Sequence, residues 1–182
     1  ERAASAAVWG AFLNAGQVCA SVERVYVHKK IADKFIKLVV EKTKKIRVGN
    51  GLDQDVDMGP MISEKQMKTV EAHIADAVKK GARILTGGSR IKSMPGWFFE
   101  PTVLVDVTHD MLCMKDETFG PTLPIMEFST VDEAVALAND SRYGLNSSVW
   151  SRDEARAREV ARRIQAGTVI INDAVYTYGF AQ

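Results

Sequence analysis

The sequence predicts an α/β domain whose sheet is at least partly parallel, and two observations carry that prediction. Helix-like and strand-like spacings of apolar residues take turns along all 182 residues, without repeats, low-complexity tracts or an internal linker. Three strand-like segments, 82–86, 146–150 and 168–172, each follow a helix-like segment directly. Right-handed crossovers through those helices would lay strands side by side in one direction.

In chain order, residues 3–15 read as a helix of small and apolar side chains that Gly16 interrupts. Residues 24–28 alternate polar and apolar and read as a strand. Residues 31–46 read as a helix, because Ala32, Phe35, Ile36 and Val39 share one face, and Gly49-Asn50-Gly51 ends it. A polar loop through Asp53, Asp55 and Asp57 leads to Gly59-Pro60. Ser63-Glu64-Lys65-Gln66 has the spacing of a capping box. The helix it opens aligns Met67, Val70, Ile74 and Ala77, and Gly81 sits where a terminating residue belongs. Strand 82–86 stops at Gly87-Gly88, and Pro95-Gly96 marks a turn. Residues 98–107 and 123–128 read as strands on either side of a long connection. Thr130 to Glu133 and Ser151 to Glu154 repeat the capping-box spacing and open two further helices. The second aligns Ala157, Val160, Ala161 and Ile164 and ends at Gly167.

Composition narrows the function classes. Apolar residues make up 46% and charged residues 26%, as in an ordinary soluble domain. The net charge of +1 gives no reason to expect a nucleic-acid or membrane partner. The one basic run, Lys42 to Arg47, reads as a solvated helix face. No stretch approaches the ~18 uninterrupted apolar residues of a membrane span. The chain opens on Glu1 within a helix-like pattern and closes on Tyr178-Gly179-Phe180-Ala181-Gln182 without a stop signal, so both ends are expected to be cuts. Cys19 and Cys113 form no CxxC or Cys/His pattern, so no metal site is expected. So few cysteines favour a reducing cytoplasm.

Cys19 follows the glycine-bearing turn Asn14-Ala15-Gly16-Gln17-Val18. A helical turn starting near Ala20 would aim free N–H groups at its sulfur and favour the thiolate, the reactive form. Local sequence alone favours a buried core cysteine, the commoner use of the residue. Cys113 lies among Met111, Leu112 and Met114 and reads as packed. His28, His73 and His109 are scattered, which makes a Cys–His hydrolase dyad a poor reading.

Four segments resemble, in order, the motifs of the NAD(P)-dependent aldehyde dehydrogenase superfamily. Phe12-Leu13-Asn14-Ala15-Gly16-Gln17-Val18-Cys19, with Arg24 after it, is similar to the active-site motif F-x-N-x-G-Q-x-C. Asp116-Glu117-Thr118-Phe119-Gly120-Pro121 is similar to E-E-x-F-G-P, Asn139 to Leu145 to N-x-x-x-Y-G-L, and Gly167 to Asn172 to G-x-V-x-x-N. The resemblance covers about the whole chain. It implies a three-layer α/β domain with a largely parallel sheet flanked by helices, the catalytic-domain type of that superfamily, over residues 1–182. It also implies a reaction. The Cys19 thiolate attacks an aldehyde, hydride leaves for NAD or NADP, and water hydrolyses the thioester to a carboxylic acid.

By the same resemblance Glu117 binds the nicotinamide ribose hydroxyls and Phe119 packs at the nicotinamide end. The Cys19 backbone N–H is one oxyanion donor. Asn14 shapes the loop, Asn172 supports it, and Gln66 sits where some members place a polar group near the ribose, though its capping position argues for a structural role. The family's general-base glutamate, cofactor-phosphate elements and 2′-phosphate pocket belong to an amino-terminal domain that this sequence does not match. Its carboxyl-terminal oligomerisation strand is likewise unmatched. The expectation is a catalytic domain that is inactive alone, drawn from a homo-oligomeric enzyme acting on a small-molecule aldehyde. A coenzyme-A-acylating member, a non-catalytic remnant and a cysteine hydrolase remain as alternatives.

Overall fold

The computed structural model describes residues 1–174. The expectation of a cut end at residues 178–182 lies outside them. The described chain is a mixed α/β unit built from β1 (Val25–His28), β2 (Arg83–Thr86), β3 (Thr102–Val105), β4 (Thr122–Phe128), β5 (Asn146–Val149) and β6 (Thr168–Ile171). Its helices are α1 (Arg2–Phe12), α2 (Ala32–Thr43), α3 (Glu64–Lys79), the single turn α4 (Leu112–Lys115), α5 (Val131–Asn139) and α6 (Glu154–Ala161).

The main sheet has the order β1-β4-β3-β2. β4 pairs in parallel with both β1 and β3, so the sheet is mostly parallel and flanked by helices, as expected. β3 lies inside it, and all four of its residues, Thr102-Val103-Leu104-Val105, are buried, which is why its sequence runs apolar instead of alternating. Two expectations need correction. β2 runs antiparallel to β3, because the chain returns to the sheet through the Gly87 to Pro101 connection and not through a crossover helix. β5 and β6 are parallel to each other, joined through α6, but they form a separate two-stranded sheet.

The helices form where the apolar stripes predict. Met67, Val70, Ile74 and Ala77 of α3 are all buried. Ser63 caps α3 by accepting from the Gln66 N–H at 3.2 Å. At the other end the Ala82 N–H reaches Ala77 O and the Gly81 N–H reaches Val78 O, with Gly81 at φ +104°. That pair of bonds and the left-handed glycine are how a helix end satisfies its last carbonyls. α5 has the complete capping box, with Thr130 and Glu133 bonded reciprocally. α6 does not: its N-cap is Asp153, which accepts from the Arg156 N–H, while Ser151 Oγ accepts from the Asp153 N–H. A carboxylate two residues further on displaces the predicted serine, because it reaches the free N–H groups of the first turn directly.

The polar loop after α2 is folded back by Arg47, whose guanidinium meets Asp55 and Asp57 at 3.0 Å each. The basic run is thus partly used locally. No helix among the described residues is long and apolar enough to cross a membrane.

Candidate active site

The cysteine motif begins where α1 must stop. Asn14, Ala15 and Gly16 follow one another at φ +51°, +56° and +71°, the left-handed region that a continuing helix cannot use. Side chains lock the turn: Asn14 Nδ2 donates to Gln17 O and Gln17 Nε2 donates to Asn14 O, each at 3.1 Å. Asn14 is therefore part of the turn, as its loop-shaping assignment requires. Gln17 also reaches across to the loop before α3. Its Oε1 accepts from the Ile62 N–H at 2.8 Å, and its Nε2 donates to Pro60 O at 3.4 Å.

Cys19 is exposed. It sits in a turn closed by the Ser21 N–H on Val18 O at 2.9 Å, and Ser21 is tied back to α1 through Gly10 O. No helix starts at Ala20, so the condition under which a helix N-terminus would favour the thiolate is not met. On the far side of this turn, buried Ala20 packs with Ala174, Val18 and Trp150, so the β5–β6 sheet supports it. Asn172 stabilises that sheet's end. At φ +56° it exchanges two bonds of 2.9 Å with the backbone of Ser151.

The acidic motif meets the cysteine motif directly. A Cβ placed on Gly16 would lie 2.1 Å from Gly120 O, so the two loops touch backbone to backbone with no room for a side chain. Gly120 is equally confined on its other side by Val70. Glu117 is exposed and Phe119 half-buried, with Phe119 at φ +48°. The Glu117 N–H reaches the Tyr143 hydroxyl at 3.4 Å, and Arg142 Nη2 bonds both that hydroxyl and Asp116. The N-x-x-x-Y-G-L segment thus buttresses the E-x-F-G-P loop.

Glu23 and His73, which sequence reasoning did not select, hold this loop or lie behind it, and Arg24 of the cysteine motif reaches the segment before it. The Glu23 carboxylate accepts from the N–H groups of Thr118 and Phe119, and burial pushes its pKa up to about 7 in spite of those two bonds. His73, buried on α3, lies 3.1 Å from Thr118 Oγ1, and burial lowers its pKa. Arg24 Nη1 donates to Met114 O. The only local hint was an acidic residue standing directly before a strand. Gln66 Nε2 donates to the carbonyls of Thr118 and Phe119 at 2.8 and 3.2 Å, so its side chain leaves the capping box to hold the loop.

Cys113 is buried, as its neighbours predicted, and burial pushes its thiol up to about 12, far from a reactive thiolate. His28, His73 and His109 each bond a ring nitrogen to partners other than cysteine. A groove of about 540 Å³ between α5 and α6, lined by Asp132, Asp153, Arg156, Glu159 and Arg163, includes no residue of the cysteine or acidic loops.

Comparison with known proteins shows the family and the fold. The family model described as "Aldehyde dehydrogenase family" matches residues 1–179. A Mycobacterium ulcerans (strain Agy99) protein, provisionally named succinate-semialdehyde dehydrogenase [NADP(+)] 2, is 45% identical over 181 residues, which are 100% of this chain and 34% of that protein. The chain thus spans about a third of the length of the curated relatives it matches. Among solved structures, a provisionally named aldehyde dehydrogenase from Anabaena variabilis superposes with a TM-score of 0.95 at 42% identity, over 100% of this chain and 39% of that one. A betaine aldehyde dehydrogenase from Staphylococcus aureus in complex with NAD+ superposes at 0.90 with 40% identity, over 95% of this chain and 35% of that one.

Proposed function

Because the chain belongs to the aldehyde dehydrogenase family, we propose that it is the part of an NAD(P)-dependent aldehyde dehydrogenase that carries the nucleophile, with Cys19 in that role. The observation that supports this reading best is the contact of Gly16 with Gly120, which brings the loop of an exposed cysteine against the acidic loop.

The chemistry follows from the residues. The Cys19 thiolate adds to the carbonyl carbon of an aldehyde, forming a C–S bond and a tetrahedral oxyanion. The Cys19 backbone N–H is one donor to that oxyanion. When bound, NAD or NADP supplies the acceptor for the hydride that leaves the adduct carbon. The acyl group then remains on sulfur as a thioester, which is activated toward water because sulfur is a good leaving group. Hydrolysis gives the carboxylic acid and returns the thiol.

The residues of the acidic loop fit the nicotinamide riboside end of such a cofactor. Glu117 offers an exposed carboxylate, which can accept two hydrogen bonds from a vicinal diol. Phe119 offers an aromatic surface beside it on a backbone fixed from behind. Among the described residues, Glu23 is engaged by two backbone N–H groups and Glu117 is given to the ribose, so neither is assigned as a deacylating base. The 182-residue chain alone is therefore expected to acylate without turning over.

An activated ester tests this without the cofactor. p-Nitrophenyl acetate should release about one equivalent of nitrophenol per chain, with the acetyl group found on Cys19 by peptide mass spectrometry. Cys19→Ser should abolish the burst. Acetylation elsewhere contradicts the assignment, and sustained multiple turnover favours a cysteine hydrolase instead. NAD(P)H formation from simple aldehydes by the same chain should be absent.

A further inference from the structure

The peptide groups of Thr118 and Phe119 have all four of their polar atoms bonded to side chains from distant parts of the sequence. Both N–H groups donate to Glu23, Thr118 to Oε2 at 3.1 Å and Phe119 to Oε1 at 3.0 Å. Both carbonyls accept from Gln66 Nε2. Thr118 is fully buried, so its peptide groups have no water to turn to. Phe119 holds φ +48°, a conformation that costs a non-glycine residue free energy and persists only where its surroundings impose it. A carboxylate forked over two consecutive N–H groups is such an imposition.

We propose that Glu23 is a positioning residue: its carboxylate fixes the Thr118–Phe119 backbone and thereby sets how Glu117 and Phe119 are presented to the cofactor. This rests on the cofactor assignment of those two residues made above. The geometry is selective for glutamate. Glutamine would turn its NH₂ toward one of the two N–H donors, and aspartate would fall a methylene short. The segment from Cys19 to Glu23 would then carry the nucleophile and also brace the acidic loop.

The charge state of the fork matters, and the groups around it can be named. Burial and the like charge of Glu117 oppose ionisation, while the Thr118 and Phe119 N–H groups and Arg24 favour it. Cys113 of α4 also lies within electrostatic reach. The carboxyl therefore titrates near 7. The fork is strongest above that pH and weakens below it.

Amide NMR of the whole chain tests the proposal. In the unmodified protein the Thr118 and Phe119 amide protons should shift together with a midpoint near 7. E23Q should abolish that titration and speed hydrogen exchange at these two amides by roughly tenfold or more, while α3 amides such as Val70 stay protected. Flat titration at both amides of the unmodified chain overturns the fork without needing any variant to fold, and unchanged exchange in E23Q does the same. Added NAD+ should perturb the Glu117 and Phe119 resonances, and E23Q should weaken that response about threefold or more by depleting the competent loop conformation. An undiminished response in E23Q overturns the positioning role and leaves the cofactor reading standing. No response in the unmodified chain, with the amide titration intact, overturns the cofactor reading and the positioning role with it.

Discussion

The two loops that meet at Gly16 and Gly120 are held by different means. The cysteine loop is held largely from within: three consecutive left-handed residues turn it, and Asn14 and Gln17 bond each other across the turn. The acidic loop is held from outside, by Glu23 on its N–H groups, Gln66 on its carbonyls and His73 beside Thr118. A locally encoded turn is stiff whatever surrounds it. A loop fixed by distant side chains responds to their charge and packing. The proposed nucleophile thus sits on the stiffer of the two loops and the proposed cofactor contacts on the adjustable one.

The harshest way to break this arrangement is at the junction. Gly16→Ala puts a Cβ into Gly120 O on a backbone at φ +71°, and should cost roughly 3 kcal/mol or more, read as a lowered denaturation midpoint. A wild-type midpoint for this variant would mean that the loops do not touch. Gln66→Ala strips both donors from the Thr118 and Phe119 carbonyls and should cost about 1–2 kcal/mol, with faster exchange confined to the acidic loop. Loosening of the cysteine loop by the same change would erase the contrast. Away from the cleft, Asp153→Ala should cost ~1 kcal/mol of stability, and Ser151→Ala less, because the aspartate caps α6. The reverse order would restore the serine as the cap.

The smallest effect is on pH dependence, and its sign is fixed. Glu23 is raised from an ordinary 4.5 to about 7, so in that window the folded chain binds more protons than the unfolded one. Its contribution to stability is complete below 4.5 and is lost as pH rises through about 7. Urea midpoints should therefore fall across the window, and Glu23→Gln should flatten the fall. A rising midpoint that Glu23→Gln abolishes would reverse the sign. Global stability and loop tightness move oppositely here, since the neutral carboxyl escapes the cost of buried charge while the charged one grips the two N–H groups.

The same contrast explains what could be read from the sequence. α3 was legible from Ser63 to Gly81 because its cap, stripe and terminator are local signals. The cysteine turn was legible because its glycine and its bonding partners lie within four residues. The roles of Glu23 and His73 were not, because their partners on the acidic loop stand 95 and 45 residues away. The direction of β2 was missed for a related reason: a preceding helix does not decide which neighbour a strand finds. Whether a helical turn follows Cys19 was not legible either, because Ser21 is drawn back to Gly10 and a closed turn forms there.

The account depends most on one covalent step, the addition of the Cys19 sulfur to an aldehyde carbon, which needs neither the cofactor nor a deacylating base. Carbonyl-¹³C acetaldehyde added to the chain should give a protein-bound thiohemiacetal resonance that persists in Cys113→Ser and vanishes in Cys19→Ser. A resonance that survives loss of Cys19, or none in the unmodified chain at saturating aldehyde, would contradict it.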